Sequence, residues 1–233
     1  MLSFREFRQL DEKIDSRELE REVHEFILDK VNFNGSVNRI KIDLKAGIRA
    51  LLAKHINNKN IKIKARVVYG KATEAEFGVN LDRNTETVTS VDLSIVLSKD
   101  EFNSADLKNK LLILITHEMI HAIQRVRSNF MMSISRMKKN FSQSNLSRKE
   151  YYAEIDEIEA YASETAQQIR ISAGKQRFSM DKVKAILSTK DGMEVASHLS
   201  RIFQIYKHYF YGSSNRSDQQ VWKLFLKKVM QHI

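Results

Sequence analysis

The chain has 233 residues, a length that favours one sizeable domain with a hydrophobic core. Its 42% hydrophobic and 29% charged residues are ordinary for a globular protein and exclude a disordered chain. There is no cysteine, which excludes disulfides, thiolate catalysis and cysteine-ligated zinc, so a metal site would have to use histidine and carboxylate ligands. The net charge of +10 is typical of a solvated basic surface and also suits an anionic partner such as nucleic acid.

The first half of the chain changes from a helical to a strand pattern. Apolar residues at helical spacing predict helices over residues 15–29 and 44–56. The alternation in I-K-I-K-A-R-V then predicts a half-buried strand over 61–67. Two further strands are expected over 76–81 and 87–97, which are rich in Val, Thr and Ile and are joined by a hairpin turn.

The second half has a helical pattern almost throughout. A helix starts after residue 104, with an apolar stripe formed by Leu107, Leu111, Ile115, Ala122 and Val126. The capping-box pattern S-R-K-E opens a helix over 147–172, whose stripe is Ile155, Ile158, Ala162, Thr165 and Ile169. Three more helices are expected near 181–188, 193–210 and 218–232. No segment is apolar enough to cross a bilayer, and the first residues lack the features of a secretion signal, so we expect no membrane partner and a cytoplasmic location.

The segment T-H-E-M-I-H, inside the helix after residue 104, contains the candidate metal-binding and catalytic residues. His117 and His121 are four residues apart, so both imidazoles lie on one helix face and can bind one cation. Glu118 is rotated by about 100° from His117, which places its carboxylate beside the metal and not among the ligands. The spacing therefore predicts a metal site with an adjacent general base.

A catalytic zinc ion usually has three protein ligands and one position open for water. The third ligand here would be a carboxylate from the later helix, which contains D-E-I-E-A-Y-A over residues 156–162. Three of its glutamates are candidates. The helical angle favours Glu154, which lies closest to the apolar stripe, whereas Glu157 lies on the same flank further out and Glu159 is a third choice.

H-E-M-I-H followed by E-I-E-A-Y-A resembles the zincin metallopeptidases, and within them the gluzincins, in which a downstream glutamate completes a His₂Glu zinc site. The resemblance covers roughly residues 61–172 and implies that Glu157 is the third ligand and Glu118 the catalytic base. Ala160 matches the family pattern. Tyr161 departs from it, because the family usually has Asp or Asn there to orient a histidine.

The resemblance also implies a fold and a reaction. We expect an α+β, zincin-like domain with a small, mainly antiparallel sheet packed on the HExxH helix and a helical C-terminal lobe. One domain over residues 1–233 is predicted, divided into N-terminal helices (1–60), the sheet with the metal-binding helices (61–172) and the C-terminal lobe (173–233). The activity implied is zinc-dependent hydrolysis of a protein or peptide substrate, aligned along the strand at 87–97 as an edge strand.

Two further observations extend the prediction. Q-I-Y-K-H-Y-F-Y offers Tyr206, His208 and Tyr209 as candidates to stabilise an oxyanion. The start M-L-S-F-R-E-F resembles the first residues of head proteins of T-even-type tailed phages, which implies a phage-encoded protein located in the host cytoplasm or the virion. The alternative function is therefore a non-catalytic zincin scaffold, structural or associated with nucleic acid or virion components.

Overall fold

The computed structural model describes residues 16–56, 58–82, 85, 87–98, 100–101, 106–127, 130, 147–175, 179–187 and 189–233. The chain forms two compact units, Met1–Ser144 and Asn145–Ile233. The single domain over 1–233 stays a prediction. The N-terminal motif of seven residues lies outside the described residues. Within the described ranges, no helix combines the length and the apolar character that crossing a bilayer requires.

The first unit begins with two helices that pack against each other. Helix α1 (Ser16–Glu25) continues into a π-helical turn (Phe26–Lys30), and α2 spans Val37–His55. The ring of Phe26 lies over Gly47 of α2, where an added Cβ would come within 1.8 Å of a ring carbon. Glycine is therefore needed at this position because the aromatic ring occupies the space of a side chain.

Ion pairs also attach helix α1 to helix α2. Glu22 of α1 accepts hydrogen bonds from Lys54 Nζ at 2.5 Å and pairs with His55 Nε2 at 2.8 Å, both in the last turn of α2. Burial raises the pKa of Glu22, but the hydrogen bonds from Lys54 and His55 outweigh it, so the net pKa lies below the ordinary value. The ionised carboxylate therefore stabilises the folded chain.

The sheet of the first unit has three strands in the order β1-β3-β2: β1 (Lys62–Gly70), β2 (Glu74–Leu81) and β3 (Val88–Ser98). β2 pairs with β3 antiparallel, but β1 pairs with β3 parallel. The predicted mainly antiparallel sheet is therefore wrong in detail, and the sheet is mixed. If β2 were the central strand, both of its pairs would be antiparallel. Because β3 is central instead, it runs parallel to β1 and antiparallel to β2.

The position of β3 corrects a second prediction. Hydrogen bonds join β3 to a neighbour on each side, so it is not the edge strand that was expected to align a substrate. Its four inward side chains are fully buried: Val91, Leu93, Ile95 and Leu97. This apolar content is typical of a central strand, and it is the property that the sequence pattern detected. The outer strands are β1 and β2.

Helix α3 (Leu107–Arg127) carries the HExxH segment and follows the sheet, as predicted. Its stripe is buried at Leu107, Leu111, Ile115 and Ala122, while Val126 is only partly buried. Arginines occupy the last turn, where positive charge opposes the negative end of the helix dipole. The helix contacts β2, and Glu118 of the HExxH segment lies beside Phe77 of this outer strand.

The second unit contains only helices among its described residues. These are α4 (Arg148–Tyr152), α5 (Ile155–Lys175), α6 (Met180–Leu187), α7 (Lys190–Leu199), α8 (Arg201–Phe210) and α9 (Arg216–His232). The predicted capping box at Ser147 and Glu150 is confirmed. The helix predicted over 193–210 is interrupted by Ser200, whose hydroxyl accepts from Phe203 N and caps α8.

The helix predicted over 147–172 is also interrupted, at Ala153 and Glu154. The carbonyl of Tyr152, next to the break, accepts a hydrogen bond from the Tyr206 hydroxyl at 2.8 Å. This long-range contact provides the carbonyl with a partner where the helix stops. Ile155 becomes the first residue of α5 and is exposed, although the stripe predicted it to be buried.

Alanines on α5 allow the aromatic core of the second unit to approach closely. Ala162, Ala166 and Ala173 are fully buried there. The ring of Tyr206 stacks on Phe225 at 3.8 Å between centroids, with an interplanar angle of 4°. Aromatic pairs of this kind add to the free energy of folding beyond the area that they bury.

We predict that Glu22→Gln lowers the free energy of unfolding by about 1 kcal/mol at pH 7. The loss is modest because Lys54 and His55 keep partial access to water when their carboxylate partner is removed. Because the pKa of Glu22 is lower in the folded state, the stabilisation is complete above the unfolded value of about 4.3 and is lost as pH falls through the folded value. Urea unfolding between pH 7 and pH 3.5 measures it. A constant difference across this range contradicts the prediction; the exposed Glu25→Gln is the control.

Candidate metal centre

His117 and His121 lie together on one face of α3. Their Nε2 atoms are 3.2 Å apart, and the rings meet edge to face at an interplanar angle of 74°. Both side chains are buried, with 7% and 8% of their surfaces exposed. One helical turn therefore brings two ring nitrogens to the same point, as the spacing predicts. We refer to these two residues as the histidine pair.

The separation within the histidine pair fits a shared cation. Two nitrogens bound to Zn²⁺ at 2.0–2.1 Å with a tetrahedral angle lie about 3.3 Å apart. The observed 3.2 Å agrees with this value. Two nitrogen lone pairs repel each other unless a proton or a cation lies between them, and burial prevents water from separating them. The donor set is suitable for zinc, which binds neutral imidazole readily.

Gln124 orients one member of the pair, a role that the sequence prediction missed. Its side-chain Oε1 lies 3.1 Å from His121 Nδ1. Because an amide oxygen only accepts, this contact favours the tautomer of His121 that has its proton on Nδ1 and its lone pair on Nε2, the atom that faces His117. The available signal was the spacing, because a residue three positions after His121 returns to the same helix face.

Glu118 connects the histidine pair to the sheet. Its Oε2 accepts a hydrogen bond from the backbone amide of Phe77 on β2 at 2.7 Å. The carboxylate is partly buried and is held by one oxygen at the outer strand. This contact gives Glu118 a structural role as well as the catalytic role that the motif predicts.

In the second unit, Glu157 is the most buried of the candidate glutamates. It lies in the first turn of α5 with 2% of its surface exposed. Glu159 instead pairs with Lys228 Nζ at 2.8 Å and His232 Nε2 at 2.9 Å on α9. Glu154 precedes α5, so the helical angle that favoured it assumed a continuous helix that the structure does not contain.

Glu157 belongs to a group of three carboxylates that can bind a cation. One oxygen each of Glu154, Asp156 and Glu157 lies within 4.8 Å of the others, and the last two residues are buried. Like charges at this distance repel strongly where water is excluded. A cation or a bound proton lowers that repulsion. The start of α5 also favours negative charge, because the amino end of a helix is the positive end of its dipole.

Two tyrosines, the partly buried Tyr161 and the buried Tyr206, lie close enough to Glu157 to be affected by its charge. Burial raises the pKa of Tyr161, and the nearby Tyr151 and the charge of Glu157 raise it further. Burial likewise raises the pKa of Tyr206. Both phenols therefore stay protonated and act as hydrogen-bond donors.

The three predicted oxyanion candidates lie on α8 in different environments. The Tyr206 hydroxyl is engaged by the carbonyl of Tyr152, so it holds the α4–α5 junction in place and its donor is already used. Tyr209 is partly buried and His208 is exposed; both line an open groove of the second unit.

Comparisons with family models, with curated proteins and with solved structures returned no match. The likeness to the gluzincins therefore stays a prediction that depends on two short motifs. Any function must be inferred from the geometry of the residues described above.

We predict that Gln124→Leu weakens zinc binding by about 10- to 100-fold, because the tautomer and orientation of His121 lose their support. Gln124→Glu keeps an acceptor oxygen at the same place and should bind zinc within a few-fold of the wild type. Competition with a chromophoric chelator measures both affinities. Equal affinities for the leucine variant and the wild type would contradict the orienting role.

Proposed function

We propose that the protein is a zinc-dependent metallopeptidase, in which His117, His121 and Glu157 bind Zn²⁺ and Glu118 is the general base. The observation that carries the proposal is the 3.2 Å separation of the two Nε2 atoms in the buried histidine pair. Glu157 is the candidate third ligand in the described chain, and its burial and its carboxylate neighbours support this choice. The substrate proposed is a protein or peptide.

Each residue has a separate part in the proposed reaction. When bound, zinc would supply Lewis acidity, which would lower the pKa of a water ligand toward about 7 and polarise the scissile carbonyl. Glu118 accepts the proton of the attacking water and delivers it to the leaving amine. The Phe77 amide holds one oxygen of Glu118, which restricts the carboxylate to a narrow range of positions beside the histidine pair. Gln124 keeps the His121 lone pair directed at the metal position.

The second candidate is a zincin scaffold without turnover, structural or associated with nucleic acid or virion components. The Glu118 contact supports this alternative specifically, because a carboxylate that anchors β2 has a reason to be present without catalysis. The net charge of +10 suits an anionic partner. Location in the host cytoplasm or in a phage virion remains part of the proposal.

We predict that Glu118→Gln retains zinc but reduces peptide hydrolysis by about 10²- to 10⁴-fold, the usual contribution of a general base. The amide oxygen of the new side chain still accepts from Phe77 N, so the anchor to β2 is preserved while the base is lost. Hydrolysis of labelled casein by the zinc-loaded protein measures the effect. Glu76→Gln, an exposed change on β2, is the matched control.

Two outcomes contradict the peptidase. Hydrolysis by Glu118→Gln at the wild-type rate would remove Glu118 from the chemistry. Zinc binding by both proteins without hydrolysis by either, over a broad set of peptides, would support the scaffold.

A further inference from the structure

The second unit contains an open groove that the proposed peptidase chemistry does not use. It has a volume of about 590 Å³, within the range of sites that hold small molecules or short segments of a chain. Its walls come from α4, α7 and α8 and from the residue that caps α8 at its end. None of its described lining residues belongs to the candidate metal ligands or is the proposed base.

Positive charge dominates the lining. Two arginines and one lysine contribute this charge, Arg148, Arg201 and Lys207, and two histidines, His198 and His208, line the same groove. No carboxylate is among the described residues that line the groove. Arg201 and the two histidines are exposed. A concave surface with one sign of charge concentrates ligands of the opposite sign and increases their rate of association.

Aromatic rings lie among these cations. Tyr152, Tyr209 and Tyr211 line the same groove. The centroids of the Tyr152 and Tyr209 rings are 6.0 Å apart, and the two rings are inclined by 30° to each other. Tyr211 is exposed over 38% of its surface. Burial raises the pKa of Tyr152, so its hydroxyl stays neutral and does not repel an anion.

We infer that this groove binds a short stretch of single-stranded nucleic acid, with phosphates on Arg201, Lys207 and Arg148 and bases against the tyrosine rings. Cations that follow a backbone, interleaved with rings on which bases stack, are the combination that recognises single strands without sequence preference. An acidic peptide would use the cations but gain little from the rings. The inference is independent of the peptidase, because the groove and the histidine pair share no residue.

The matched comparison uses two double variants with the same change of net charge. Arg201→Gln with Lys207→Gln removes two cations from the groove, whereas Lys223→Gln with Lys227→Gln removes two exposed cations of α9 that do not line it. Binding of a fluorescein-labelled dT12 strand is followed by anisotropy at several salt concentrations. Circular dichroism verifies that each variant is folded.

The groove variant should bind the strand at least about tenfold more weakly than the wild type, and the α9 variant within about twofold. The slope of log affinity against log salt should fall by about 0.7 for each groove cation removed. Tyr211→Leu should weaken binding about fivefold or more without changing that slope, because stacking is not ionic.

Three results would overturn the inference. The first is equal weakening in both double variants, which indicates diffuse charge attraction only. The second is no binding of dT12 by the wild type at low salt. The third is binding of polyglutamate as tight as that of dT12, with no effect of Tyr211→Leu, which indicates a site for acidic peptides.

Discussion

The proposed metal chemistry depends on the close approach of two buried imidazole nitrogens. At 3.2 Å, the Nε2 atoms of His117 and His121 require a proton or a cation between them. Two other described histidines have carboxylate partners: His55 and His232 each pair with a glutamate. The histidine pair is distinct because each ring has the other as its neighbour, at a spacing that tetrahedral zinc reproduces.

The first unit holds this pair through contacts that reach beyond the helix. The side-chain oxygen of Gln124 lies 3.1 Å from His121 Nδ1 and favours one tautomer of that ring. Glu118 connects the helix to the backbone of β2, so the sheet determines the position of the proposed base. This hydrogen bond has two consequences. It restricts the position of the Glu118 carboxylate, and it gives that carboxylate a structural role that does not depend on catalysis.

In the second unit, the short helix α4 lies next to two different kinds of charge. It contributes Arg148 and Tyr152 to the basic groove, and the carboxylates at the start of α5 follow it directly. The Tyr206 hydroxyl holds the junction between them through the carbonyl of Tyr152.

Local patterns in the sequence predicted most elements but not their interruptions. The i and i+4 histidines, the alternation in β1 and the capping box at Ser147 are properties of neighbouring residues, and the structure contains all three. Ser200 was a usable signal for the break before α8, because serine is a favourable helix cap. The break at Ala153 was not predictable, because a tyrosine 54 positions away forms the contact there.

The expected edge position of β3 and the helical-angle argument for Glu154 failed for a related reason. Strand patterns give burial but not neighbours, so the central position of β3 was mistaken for an edge. The helical angle favoured Glu154 only because a continuous helix was assumed. Gln124 was overlooked, although its spacing of three residues from His121 places it on the same helix face. The strand order and the break between α4 and α5 both involve long-range hydrogen bonds, which local sequence patterns do not specify.

Elemental analysis of the zinc-loaded, dialysed protein tests the central claim most directly. The wild type and the exposed His24→Ala control should each contain about one zinc ion per chain, and His117→Ala should contain almost none, because one imidazole cannot replace the pair. Failure of the wild type to retain zinc, or equal zinc in His117→Ala, would contradict the account.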